Sequence, residues 1–150
     1  MRGRDFQPPS LLCLLLMVNS LLRSRILVVD DSPVVCEALR YVIEDTPDLE
    51  MVGEAGGGLQ AIVRAGLLNP DVVILDIHLP GIDGYAVARE LKKMFHPPLI
   101  VFLSVDGDPE TEQRALAAGA DAFVAKSQGW EVLLTKIRAA LSTNRGENNL

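Results

Sequence analysis

Two cysteines, Cys13 and Cys36, two histidines and a single tryptophan occur in the 150 residues, and aromatic side chains make up only 5% of them. Two distant cysteines supply neither a disulfide framework nor a zinc site, which fits a reducing, cytoplasmic location. His78 and His96 are too few and too separated to mark the chain as a phosphohistidine donor. Positive charge is scarce as well. Fourteen Lys and Arg stand against 20 Asp and Glu, a net charge of −6, and residues 25–142 alone hold 10 against 18, or −8. With no basic stripe to neutralise phosphates, direct nucleic-acid binding by this chain is not expected. The longest apolar run, residues 11–18, falls far short of the ~20 residues of a membrane span. Internal repeats, low-complexity tracts and an interdomain linker are absent too.

What is present is a 49% hydrophobic chain of one-domain length, enough to bury roughly two-thirds of its unfolded surface. Apolar runs of strand length alternate five times with helical periodicity, the pattern of an α/β fold with a parallel sheet and helices on both faces. Strands are predicted over residues 25–30, 49–54, 71–76, 99–103 and 121–124. Ser32 with Pro33, Asp83, and Asp108 with Pro109 can each open one of the intervening helices. The glycines at 56–58 mark the loop into another. The last helix shows its apolar stripe up to Leu141, and residues 143–150 read as a polar tail.

The chemistry gathers at strand ends. Asp76 follows Val72, Val73, Ile74 and Leu75, and a turn-rich segment with Pro80 and Gly84 comes after it. Asp30 and Asp31 follow a second apolar run, Ser104 a third, and Lys126 a fourth. Carboxylates at the carboxyl edge of an open α/β sheet stand where such sheets keep their sites. These residues, in this order, resemble the receiver domain of two-component response regulators. The resemblance covers residues 25–141.

The resemblance implies a doubly wound, flavodoxin-like sheet of order 2-1-3-4-5 and a function as the phosphoacceptor of a two-component phosphorelay. Asp76 would be the nucleophile that takes a phosphoryl group from a phosphohistidine, on a sensor histidine kinase or a histidine phosphotransfer protein. Three converging carboxylates, Asp30, Asp31 and Asp76, can all ionise only with a cation, and a hard divalent ion such as Mg²⁺ suits oxygen donors. The family pattern adds the backbone carbonyl of His78 as a further ligand. Lys126 and Ser104 would contact the phosphoryl oxygens, and Ser104 with Phe123 would form the switch pair. The chain would then be a signalling switch with intrinsic autophosphorylation and autodephosphorylation. Its output would be a changed surface on the side of the fourth-strand helix, the fifth strand and the last helix, offered to a downstream protein target or a missing effector domain.

Three positions depart from the usual pattern or leave their chemistry open. Val105 stands where the family places a small residue and is expected to narrow access, while His78 and Asp106 occupy positions that, by the resemblance, would flank the path of attacking water. A phosphatase or mutase with an aspartyl nucleophile would carry a second acid where His78 stands. A phosphorylation-independent binding module would not need all five site residues. Residues 1–24 form an extension that admits three readings: the first two regions of a secretory signal, a segment that touches membrane or packs on the core, or an upstream stretch preceding an alternative start at Met17. Membrane contact is not the expectation.

Overall fold

The structure, a computed structural model, describes residues 7–148, with the backbone alone for residues 19–21, 147 and 148. Strands β1 (Ser24–Val29), β2 (Leu49–Ala55), β3 (Val72–Asp76), β4 (Leu99–Ser104) and β5 (Ala122–Ala125) pair in parallel in the order β2-β1-β3-β4-β5. Helices α1 (Leu11–Leu22), α2 (Pro33–Glu44), α3 (Gly58–Leu68), α4 (Gly84–Lys92), α5 (Pro109–Ala117) and α6 (Trp130–Asn148) alternate with them. This is the expected doubly wound sheet, and it places the carboxyl ends of β1 and β3 side by side.

Alternation along each strand divides the core into two layers. Leu27, Val29, Val73, Leu75, Ile100 and Phe102 face one way and pack with side chains of α3, α4 and α5. Ile26, Val28, Val72, Ile74, Val101 and Leu103 face the other way, against α2 and α6. With both faces covered, β3 and β4 are buried at every position, which is why they read as continuous apolar runs.

Helix starts follow the sequence closely. The Ser32, Asp83 and Asp108 side chains accept from the amides of Val35, Ala86 and Thr111. Each satisfies an amide that the first turn of a helix leaves without a partner. The strand limits differ from expectation by a residue, and an aspartate stands just before each of β3 and β5. Asp71 Oδ2 accepts from the Arg25 amide at 2.7 Å, and Asp121 Oδ2 accepts from the Ile100 amide at 2.8 Å. Each carboxylate thus takes the amide of the second residue of a neighbouring strand, and β3 and β5 begin one residue later than expected.

Two segments depart further. Helix α6 runs to Asn148, although residues 143–146 are exposed and belong to the stretch read from the sequence as a polar tail; residues 149 and 150 lie outside the described residues. Part of the amino-terminal extension is helical: Ser10 Oγ accepts from the Cys13 amide at 3.2 Å and opens α1. Residues 11–18 are exposed throughout, so this stretch does not pack on the core. Residues 1–6 lie outside the described residues. Among those described, no helix is long and apolar enough to cross a membrane.

Candidate functional site

Four strands deliver side chains to one edge of the sheet. Asp30 follows β1, Asp76 ends β3, Ser104 ends β4 and Lys126 follows β5. Asp30 and Asp76 are 4% and 5% exposed and Ser104 is fully buried, whereas Asp31 is exposed. Hydrophobic strands carry these polar groups to the rim, where each finds a partner. One carboxylate oxygen from each of Asp30, Asp31 and Asp76 lies within 4.8 Å of the others. That is a hard, anionic, all-oxygen donor set, suited to Mg²⁺ or a similar divalent cation, with Asp31 on its open side.

Lys126 binds the buried pair together. Its Nζ is 3.0 Å from Asp30 Oδ2 and 3.6 Å from Asp76 Oδ2. Burial pulls the ammonium pKa down, but the Asp30 hydrogen bond and the charges of Asp76 and Asp30 outweigh it and hold the group above its ordinary value. Burial and the Asp30 charge push the Asp76 carboxyl up; Lys126 and the His78 amide oppose them only in part. Asp30 is further fixed by the Ser32 amide, which donates to Oδ1 at 2.9 Å. Beneath it, the Cys36 thiol donates to the Asp30 carbonyl, and burial followed by the Glu54 and Asp30 charges pushes that thiol up. Cys36 is therefore a neutral packing group beside the acids.

The loop after β3 is shaped around Asp76. The His78 amide donates to Asp76 Oδ1 at 3.2 Å, and the Gly84 amide donates to the Ile77 carbonyl at 2.8 Å. Any Cβ at Gly84 would overlap the Asp76 carbonyl oxygen and come within 2.7 Å of Ile77 Cα. Glycine at the start of α4 is thus what lets the helix abut the backbone of the central acid.

All the residues singled out in the sequence meet at this edge except Phe123, which lies deeper. Phe123 is 4% exposed, registers against Phe102 across β4 and β5, and belongs to the same core layer as Tyr85. Its side chain is therefore inward, with no hydroxyl to satisfy. Ser104 Oγ accepts from the Asp106 amide at 3.1 Å and keeps its own proton to donate. Val105 is 69% exposed; its side chain is turned mostly to solvent, not packed into the rim.

One feature escaped the sequence. His78 Nε2 lies 2.9 Å from Asp106 Oδ2, joining the loops that follow β3 and β4 above the acids. Its signal was available: each residue stands two places beyond the last residue of its strand, and β3 and β4 are neighbours.

The comparisons with known proteins agree with this geometry. A family model described as the response regulator receiver domain matches residues 26–138. The chain is 38% identical over 104 residues to protein-glutamate methylesterase/protein-glutamine glutaminase 2 of Methanospirillum hungatei, covering 68% of this chain and 30% of that protein. It is 35% identical over 115 residues to the nitrate/nitrite response regulator protein NarL of Escherichia coli, covering 77% and 53%. A two-component response regulator of the LuxR family from Aurantimonas superposes with a TM-score of 0.77 at 30% identity, over 81% of this chain and 86% of that one. The chain thus spans about a third to a half of the curated relatives it matches. With the fold, the acid cluster and the family match in agreement, this chain belongs to the response regulator receiver domain family.

Proposed function

We propose that the chain is the phosphoacceptor of a two-component phosphorelay, phosphorylated on Asp76 by a phosphohistidine donor in the presence of Mg²⁺. The observation that carries this is the convergence of Asp30, Asp31, Asp76 and Lys126 at one strand edge. Three acids gathered around one ammonium leave an excess of negative charge that a divalent cation offsets. Asp30, Asp31, Asp76 and the His78 carbonyl would hold Mg²⁺, which when bound would screen the charge of an incoming phosphoryl group.

An Asp76 carboxylate oxygen attacks phosphorus, the phosphorus–nitrogen bond of the donor breaks, and the donor imidazole leaves with the electron pair and takes up a proton. The product is an acyl phosphate on Asp76. Lys126, 3.6 Å from an Asp76 oxygen, supplies a cation to the phosphoryl oxygens, and Ser104 supplies a hydroxyl proton. Catalysis on this account is positioning and electrostatics. The donor would be a sensor histidine kinase or a histidine phosphotransfer protein, and the setting cytoplasmic. Phosphoryl charge at the rim would draw Ser104 toward Asp76, and Phe123 would follow into the space released. The altered surface of α5, β5 and α6 would engage a downstream protein or an effector domain.

Incubation with acetyl phosphate and Mg²⁺ tests the first step. Intact mass should rise by one phosphoryl group, chelation by EDTA should abolish the gain, and Asp31→Ala should demand more Mg²⁺ for the same yield. Undiminished labelling under EDTA would remove the metal from the account.

A further inference from the structure

The end of the molecule opposite the acids has another character. Residues 11–18 of α1 are all apolar, and all of them are exposed, with Leu11 at 73%, Leu12 at 68% and Leu15 at 57%. Eight consecutive residues exceed two turns, so no side of this stretch is polar. Pairing with another helix needs one apolar stripe and leaves the opposite side to water. A helix apolar on every side calls instead for an apolar medium around it.

Length and charge identify that medium. Twelve residues rise about 18 Å, well short of a hydrocarbon core of about 30 Å. Arg2 and Arg4 precede the helix and Arg23 follows it, so residues 1–24 carry three basic groups and one acid, Asp5, in a chain that is otherwise acidic. Both flanks therefore favour the polar surface, and a helix too short to span must keep its two ends on one side. It then sits shallowly within one leaflet, sunk among the acyl chains, with Arg23 at headgroup level.

The adjoining surface has matching chemistry. Leu22, Arg23, His96 and Arg145 border one open cavity of about 800 Å³ at the amino edge of the sheet. Asp71, its acidic member, spends Oδ2 on the Arg25 amide. Next to His96, Phe95 is 92% exposed. Apolar and cationic groups thus share the end of the fold that carries α1, and acids at the same edge are engaged by other cations, Asp48 by Arg138 and Asp121 by Lys92.

We propose that α1 and the edge around Arg23 and Arg145 form a lipid-surface anchor that binds anionic phospholipid headgroups and holds the acid site facing away from the membrane. Flotation of the full chain with vesicles tests this. The chain should float with vesicles of equal parts phosphatidylcholine and phosphatidylglycerol, and less with phosphatidylcholine alone. Arg23→Gln should lower partition about fivefold on the anionic vesicles and hardly alter it on the neutral ones. Replacing Leu12 and Leu15 together by Glu should keep the protein at the bottom of the gradient, at an unchanged thermal midpoint and with unchanged phosphoryl uptake. A chain that does not float, or that floats equally well with the two glutamates, overturns the proposal. Failure to float together with a vesicle-free dimer that the glutamates dissolve, seen by sedimentation velocity, assigns α1 to a second copy instead.

Discussion

At the residue scale the site is held in an unfavourable charge state by its surroundings. Asp76 is buried beside Asp30, so its folded pKa lies above the ordinary value of 3.8. A group whose folded pKa is raised stabilises the fold in its protonated form, fully below its unfolded pKa, and loses that stabilisation as pH rises through the folded value. At neutral pH, without a divalent cation, ionised Asp76 therefore works against folding. Asp76→Asn should raise the thermal midpoint at pH 7 by about 2–4 °C, the effect of roughly 1 kcal/mol in a domain of this size. The gain should vanish as pH falls below about 4, where both proteins carry a neutral group at position 76. Scanning calorimetry at the two pH values checks both statements. The acids, Ser104 and Lys126 were legible in the sequence because each ends a buried apolar run, and burial makes such runs conspicuous. The His78–Asp106 contact was legible only in part: each residue stands two places past the end of one of two neighbouring strands, but spacing in an irregular loop sets no side-chain direction.

At the element scale, helix starts and strand centres were legible, and the ends were less so. Ser32, Asp83 and Asp108 marked their helices because a short polar side chain before an apolar stripe can do little else but cap. The carboxyl end of α6 was obscure because exposed polar residues carry no periodic signal once the apolar stripe stops. Glycines separate local propensity from packing. Gly84 abuts the Asp76 backbone, whereas nothing within 4 Å would meet a Cβ at Gly66 in α3. The same change should therefore have opposite signs at the two positions. Gly66→Ala should stabilise the fold by about 0.4–1 kcal/mol through the unfolded chain. Gly84→Ala should cost about 1–3 kcal/mol from overlap and slow phosphoryl uptake by moving Asp76. Urea unfolding and acetyl phosphate kinetics on the two variants would check this.

At the scale of the whole molecule, the sheet separates two surfaces, with the acid rim at its carboxyl edge and α1 and the Arg23 region at its amino edge. The strand order 2-1-3-4-5 was foreseen from the family resemblance, since five alternating segments alone do not fix which strands are neighbours. A signal generated at Asp76 has a short route outward, because Ser104 and Phe123 sit on adjacent strands beside it. Binding of beryllofluoride, which stands in for the phosphoryl group, should change amide exchange over residues 104–118 and 122–126 and leave α2 much less affected. Trp130, packed against the core layer shared with α2, should report only weakly by fluorescence. Equal change across α2 and α5 would remove the directed output. All of this depends on where the phosphoryl group goes, and borohydride reduction of the phosphorylated chain tests that most directly, since an acyl phosphate on aspartate is reduced to homoserine. After acetyl phosphate and Mg²⁺, peptide sequencing should find homoserine in place of Asp76 and unmodified aspartate at positions 30 and 31. Homoserine at either of those positions, or at none of the three in a chain that has gained a phosphoryl group, would contradict the account.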